Sequence, residues 1–191
     1  LGRLTKEKGP ETAIQLAKSA GMPLRMAAKI PRSETRYYKA HLQPIIDGEQ
    51  IKLIGEVNDS GKAELLRGAA ALLFPIDWPE PFGLVMIEAI ACGTPVIAFR
   101  RGSVPEVIDE GITGFIVDNE EEALAAIRRV PDLDRRTVRA TFERRFTARR
   151  MANDYLRIYA NVLDKWAPLD GVGHLKGVNG LRQKLRVPAD T

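Results

Sequence analysis

The strongest constraint on this chain is the alternation of short apolar runs with helical patterns along its first 130 residues. Residues 24–29 (LRMAAK), 51–54 (IKLI), 71–74 (ALLF), 95–99 (PVIAF) and 115–117 (FIV) are brief apolar stretches bounded by turn residues. Runs of that length, without polar alternation, suit strands buried on both faces of a parallel sheet. Between them lie segments that read as helices. Pro10 opens one that Gly21 closes, Ser33 is placed to cap a second before Pro44 ends or kinks it, and Asp59 or Ser60 is placed to cap a third. Glu120 begins a fourth with carboxylates in its first turn, where the helix dipole favours them. Strands alternating with helices predict an α/β fold, a Rossmann-like doubly wound parallel sheet.

Beyond Pro131 the pattern becomes helical only, with helices expected over 134–145 and 147–165. Tyr155, Ile158, Tyr159 and Val162 form a stripe at helical spacing, read as packing against the sheet domain. The expected organisation is a Rossmann-like domain over 1–130, helices packing on it over 131–165, and a loosely ordered tail over 166–191. Leu1 stands at what reads as a strand-to-loop junction, so the chain is expected to be part of a longer protein.

Composition narrows the function classes. With 45% apolar and 28% charged residues among 191, the chain can bury a core, which excludes disordered, collagen-like and disulfide-scaffold classes. Apolar runs such as LVMI at 84–87 are far too short to span a bilayer, and no secretory signal is visible. Cys92, the single cysteine, has no internal disulfide partner and reads as a small buried apolar group, so a cytoplasmic location is expected. The net charge of +4 favours anionic partners mildly, and nine arginines crowd between Arg128 and Arg150. Such runs are usually solvated helix faces; the sharper alternative is a peripheral contact with anionic lipid at the inner face of the membrane, or with a charged partner domain.

The chemistry-bearing residues fall in loops that follow strands, where open α/β sheets bind ligands. Gly2-Arg3-Leu4-Thr5-Lys6-Glu7-Lys8-Gly9 sets cations and glycines ahead of a helix N-terminus, a diphosphate cradle or simply a solvated loop. In the second loop Pro79 and Pro81 hold Glu80 extended, and Phe82-Gly83-Leu84 starts a helix whose free N–H groups point back into the cleft. Glu88 lies inside that otherwise apolar helix, which requires an internal salt bridge or a ligand. Two carboxylates placed this way could grip a hydroxyl-rich ligand such as a sugar or ribose. In the third loop, Arg101-Gly102-Ser103, Gly102 suits a tight backbone and Glu106 reads as structural.

Other chemistries lack their residues. His41 and His174 have no second ligand at metal spacing, so no metal is expected. The G-x-S-x-G elbow, the P-loop and the G-x-G-x-x-G fingerprint are absent. Tyr37 and Tyr38 lack the aromatic array of a nucleic-acid platform and read as packing, so nucleic acid is not an expected partner.

The ordered set GRLTKEKG, IKLIGEVNDSGKAELLRGAAALLFP and PEPFGLVMIEAIACGTPVIAFRRGSVPEVIDEGITGFIV resembles the donor-binding C-terminal half of retaining glycosyltransferases of family 4, which have the GT-B fold. The resemblance covers residues 1 to about 165. It implies transfer of a sugar from a nucleotide-diphosphate sugar, such as a UDP- or GDP-sugar, with retention and without a metal or other cofactor. Arg3 and Lys8 would bind the diphosphate, Glu80 the transferred sugar and Glu88 the ribose. Phe82, Gly83, Leu84 and Val85 would offer backbone amides to sugar and phosphates, and Glu56 and Val57 would lie near the base. Glu80, Arg3 and Lys8 would carry the chemistry, and an N-terminal domain would bind the acceptor. The usual paired glycines of the third loop are Arg101-Gly102 here. A non-catalytic nucleotide-sugar module and a GT-B sugar-nucleotide epimerase are the alternatives.

Overall fold

The structure, a computed structural model, describes residues 1–165. The tail expected over 166–191 and His174 lie outside the described residues. Contacts gather Leu1–Glu143 into one compact unit, and a second begins at Arg144.

The first unit is α/β and Rossmann-like, with every strand pair parallel. Six strands, β1 (Gly2–Arg3), β2 (Leu24–Lys29), β3 (Ile51–Gly55), β4 (Leu72–Phe74), β5 (Val96–Phe99) and β6 (Gly114–Val117), alternate with helices. Each apolar run read as a strand is one, within a residue or two at its ends. Hydrogen bonding groups the strands into two sheets rather than one continuous sheet, β1-β2-β3 and β4-β5-β6. The division falls beside β1, which is only two residues long and pairs Gly2 with Ala28 and Arg3 with Lys29.

Each sheet has its own core. Leu4, Ile14, Met26, Leu42 and Ile51 pack against the first, and Leu16, Ile97, Phe115, Val117 and Ala123 against the second. Helix α1 (Pro10–Ser19) serves both, because Ile14 and Leu16 leave it on different sides.

Helix α1 starts at Pro10, as the pattern predicts, and α6 (Glu120–Arg129) starts at Glu120. Asn119 caps α6: its side chain accepts from Glu122 N at 2.9 Å, satisfying one first-turn N–H, while Glu122 accepts from Asn119 Nδ2 at 3.0 Å. Two caps differ from expectation. Asn58, not Asp59 or Ser60, caps α3 (Asp59–Gly68), accepting from Gly61 N at 2.9 Å. The loop leaves Asn58 extended, as a capping residue must be, and Asp59 is already helical. Ser33 caps nothing. It lies inside a tight turn, Arg32–Glu34, that leads through the short α2 (Thr35–Tyr37), a wide turn over Tyr38–Leu42 and a final tight turn over Gln43–Ile45 containing Pro44. This irregular winding seats Leu42 in full burial, and Tyr37 and Tyr38 pack against the first core.

Helices α4 (Leu84–Ala91) and α5 (Val104–Val107) follow β4 and β5, and α7 spans Arg135–Arg145. Cys92 ends α4 half-buried rather than fully buried, its thiol 3.8 Å from Ala63 O. In the second unit α8 runs Ala148–Lys165, and Tyr155, Ile158, Tyr159 and Val162 are each about half accessible. Among the described residues no helix is long and apolar enough to cross a membrane.

Candidate functional site

Three loops at the carboxyl ends of β1, β4 and β5 meet around Glu80. The loop after β1 turns at Lys6–Lys8 and enters α1 through Gly9, whose φ of 63° lies in the left-handed region. A Cβ at Gly9 would overlap Pro75 O, so only glycine lets the first loop press against the exit of β4. Asp77 N donates to Glu7 O at 2.8 Å in the same seam. Lys8 then reaches Glu80, with Nζ 2.6 Å from Oε2.

The third loop closes from the other side. Gly102, at φ 51°, approaches so near that a Cβ would overlap Glu80 O and crowd Glu80 N. Ser103 N donates to Glu80 O at 2.8 Å. Glu80 is thus fixed by its backbone as well as its carboxylate, which also accepts from Trp78 Nε1 at 3.1 Å. The Lys8 ammonium stands 5.1 Å from the centre of the Trp78 ring. The Glu80 side chain is only 13% exposed, so its charge needs these partners. The Ser103 hydroxyl is buried with no hydrogen-bond partner among the described residues.

Glu88 has a different partner. Its Oε1 lies 2.7 Å from Lys62 Nζ of α3, and Lys62 also lies 3.2 Å from Asp59. The hydrogen bond to Glu88 is the main cause holding the Lys62 ammonium above its ordinary basicity. Of the two explanations the sequence allows for a carboxylate on an apolar helix, the internal salt bridge is therefore present.

The remaining predicted residues lie on β1, on the loop after β3 and at the start of α4. Arg3 is exposed at the end of β1, and Glu56 is exposed 3.6 Å from Lys29. Val57 is also exposed. Phe82 and Leu84 are exposed at the start of α4, Val85 is half-buried, and Gly83, at φ 73°, is the residue from which α4 starts. No side chain caps α4; Met86 N donates to Gly83 O at 2.9 Å, and the helix start otherwise offers the N–H groups of Leu84 and Val85 to an anion. Among the described residues, no group of three or more His, Cys, Asp or Glu side chains is gathered as a metal would require.

Trp78 and Lys62 bond the two carboxylates, roles the sequence did not assign to them. Trp78 and Lys62 carried one legible signal, since each half-buried carboxylate needs a donor. The spacing along the chain does not say which donor supplies it.

Cations beside an uncapped helix start, next to two placed carboxylates, can hold an anion and a hydroxyl-rich group together. The profile of the family described as "Glycosyl transferases group 1" matches residues 1–140. This chain belongs to the group 1 glycosyl transferases. It is 35% identical over 121 residues to the phosphatidyl-myo-inositol mannosyltransferase of Mycobacterium leprae, covering 60% of this chain and 32% of that protein. Among solved structures, the sucrose-phosphate synthase of Thermosynechococcus elongatus superposes with a TM-score of 0.69 at 26% identity, covering 86% of this chain and 45% of that one. HepE of Anabaena, solved with UDP and glucose, superposes with a TM-score of 0.67 at 22% identity, covering 84% of this chain and 47% of that one, and shows the shared fold. This group 1 chain thus spans about a third to a half of the length of such relatives.

Proposed function

We propose that this chain is the donor-binding half of a retaining, metal-independent glycosyltransferase of family 4, taking a nucleotide-diphosphate sugar and working with an acceptor-binding domain. The observation that carries the reading is the Lys8–Glu80 pair held by three loops beside the uncapped start of α4. In this reading Arg3, Lys8 and the α4 amides hold the diphosphate, Glu80 the transferred sugar, Glu88 the ribose, and the loop at Glu56 and Val57 the base. HepE, the neighbour solved with UDP and glucose, supports that ligand class.

The chemistry follows from where charge develops. As the nucleoside diphosphate departs, the bond from the anomeric carbon to the phosphate oxygen breaks and negative charge builds on that oxygen. Fixed cations stabilise this charge more in the transition state than in the ground state. The acceptor oxygen bonds to the anomeric carbon on the face the phosphate leaves, and the leaving phosphate takes the acceptor hydroxyl's proton, so no separate base is required. Losing one cation should cost on the order of 3 kcal/mol, by analogy with oxyanion donors.

Thermal unfolding with UDP, GDP, ADP and their sugar conjugates tests the reading. A ligand at a hundred times its dissociation constant should add about 2.7 kcal/mol, a rise of roughly 5–10 °C at this size. The rise should appear with one nucleotide and vanish in Glu88→Ala. Equal unfolding temperatures with and without every nucleotide would overturn the assignment.

A further inference from the structure

The two side chains that hold the Glu80 carboxylate converge on one of its oxygens. Lys8 Nζ lies 2.6 Å from Oε2, and Trp78 Nε1 lies 3.1 Å from the same atom. Oε1 has no donor among the described residues. The only buried side-chain polar atoms without a partner there are the hydroxyls of Thr5 and Ser103, so Oε1 is accessible. The carboxylate is divided into a held oxygen and an offered one.

Lys8 and Trp78 hold Oε2 in different ways. An ammonium carries several donors on a flexible stem. With a diphosphate in the cleft, the anion draws on the same ammonium that holds Glu80. Trp78 has no such second demand on its N–H. The indole is a neutral donor on a side chain with few rotatable bonds. A tight turn brings it to Glu80, whose N donates to Trp78 O at 2.9 Å across Pro79. The ring also stands 5.1 Å from the Lys8 ammonium, within reach of a cation–π contact. Trp78 thus touches both members of the ion pair.

The main chain of Glu80 is fixed by Ser103 N and by the close approach of Gly102. Its side chain still has rotamer freedom beyond Cβ. Without a neutral donor on Oε2, the carboxylate would follow Lys8 toward the anion and withdraw Oε1.

We infer that Trp78 is a positioning residue for Glu80: its indole N–H holds Oε2 independently of the diphosphate, which keeps Oε1 presented to a hydroxyl of the transferred sugar, while its ring steadies Lys8. This role rests on the donor-half reading and gives Trp78 two separable duties. The N–H serves the sugar, and the ring face serves the diphosphate.

Two substitutions separate these duties. Trp78→Phe keeps a ring face and removes the N–H, whereas Trp78→Leu removes both. Trp78 is 38% exposed, so Trp78→Phe should move the unfolding temperature by no more than about 3 °C. Titration calorimetry pairs UDP with UDP-glucose, GDP with GDP-mannose and ADP with ADP-glucose. For the pair that the parent binds, Trp78→Phe should keep the nucleotide's affinity within about twofold. The sugar conjugate should weaken by about fivefold or more, the worth of one hydrogen bond. Trp78→Leu should weaken both, the nucleotide by about threefold or more through the lost ring contact with Lys8. In the unliganded chain the Trp78 indole proton, assigned by its loss in Trp78→Phe, should exchange with solvent about tenfold more slowly than in Glu80→Ala. Equal losses of nucleotide and conjugate in Trp78→Phe would overturn the inference, as would no loss of either. So would equal indole exchange in the parent and in Glu80→Ala. A parent that binds none of these ligands would instead overturn the donor-half reading, and this role with it.

Discussion

Glu80 sits where three loops converge, and glycine backbones decide how close those loops come. At Gly102 the constraint is double: the φ of 51° disfavours any side chain, and a Cβ would run into the Glu80 carbonyl. Gly102→Ala should therefore destabilise the first unit by about 2 kcal/mol and weaken nucleotide binding by displacing Glu80. Chemical denaturation and titration calorimetry would read both effects, and unchanged stability with unchanged affinity would refute the account. The need for a tight backbone at Gly102 was legible from sequence, because glycine in a short loop has few other uses. Contacts across loops were not. Trp78 is two residues from the carboxylate it bonds, but the bond depends on how Pro79 turns the chain. Lys62 is 26 positions from Glu88, and only the packing of α3 against α4 brings them together.

Helix termini explain much of what the sequence left undecided at the scale of elements. Start and stop residues located α1, α3, α4 and α6, whereas the cap of α3 lies one or two residues before the expected Asp59 or Ser60. Asn58, Asp59 and Ser60 are all good capping types, and the backbone selects among them. The arginine run shows the same limit. Arg135 is no solvated cation: its guanidinium donates to Arg67 O at 2.9 Å in α3's last turn and to Ala69 O at 2.7 Å just past it, and to the buried Thr94 Oγ1 at 2.8 Å. Arg139 donates to Ala91 O at the end of α4. These arginines satisfy carbonyls that a helix end leaves open. Arg135→Ala should cost about 2–3 kcal/mol, since bonds from a charged donor to part-buried carbonyls are worth more than exposed ones. Arg135→Lys should recover little, because an ammonium cannot span three acceptors. The neighbouring Arg136→Ala, at an exposed position, should stay within about 0.5 kcal/mol of the parent. Denaturant midpoints of the three variants check this, and parity between Arg135→Ala and Arg136→Ala would return the whole run to the solvated-face reading.

Over the whole first unit, the Rossmann-like class was legible because parallel strands must be apolar on both faces. The split into two sheets was not, since nothing in a string of residues announces where a two-residue strand stops pairing. That split has a consequence for how the unit opens. The β1-β2-β3 half depends on the short β1 and takes Leu42 from an irregular winding. The β4-β5-β6 half buries Val96, Ile97 and Ala98 almost completely between paired neighbours. Helix α1 contributes to both cores, so the halves are coupled but need not open together. Regions with fewer buried contacts open at lower free energy. Native-state hydrogen exchange should find amides of Met26 and Leu53 exchanging at least tenfold faster than those of Ile97 and Ile116, a gap of about 1.4 kcal/mol or more. The gap should shrink as denaturant brings global unfolding into reach. Identical exchange free energies in both halves, at all denaturant concentrations, would mean that α1 couples the sheets into a single cooperative unit despite the break between them.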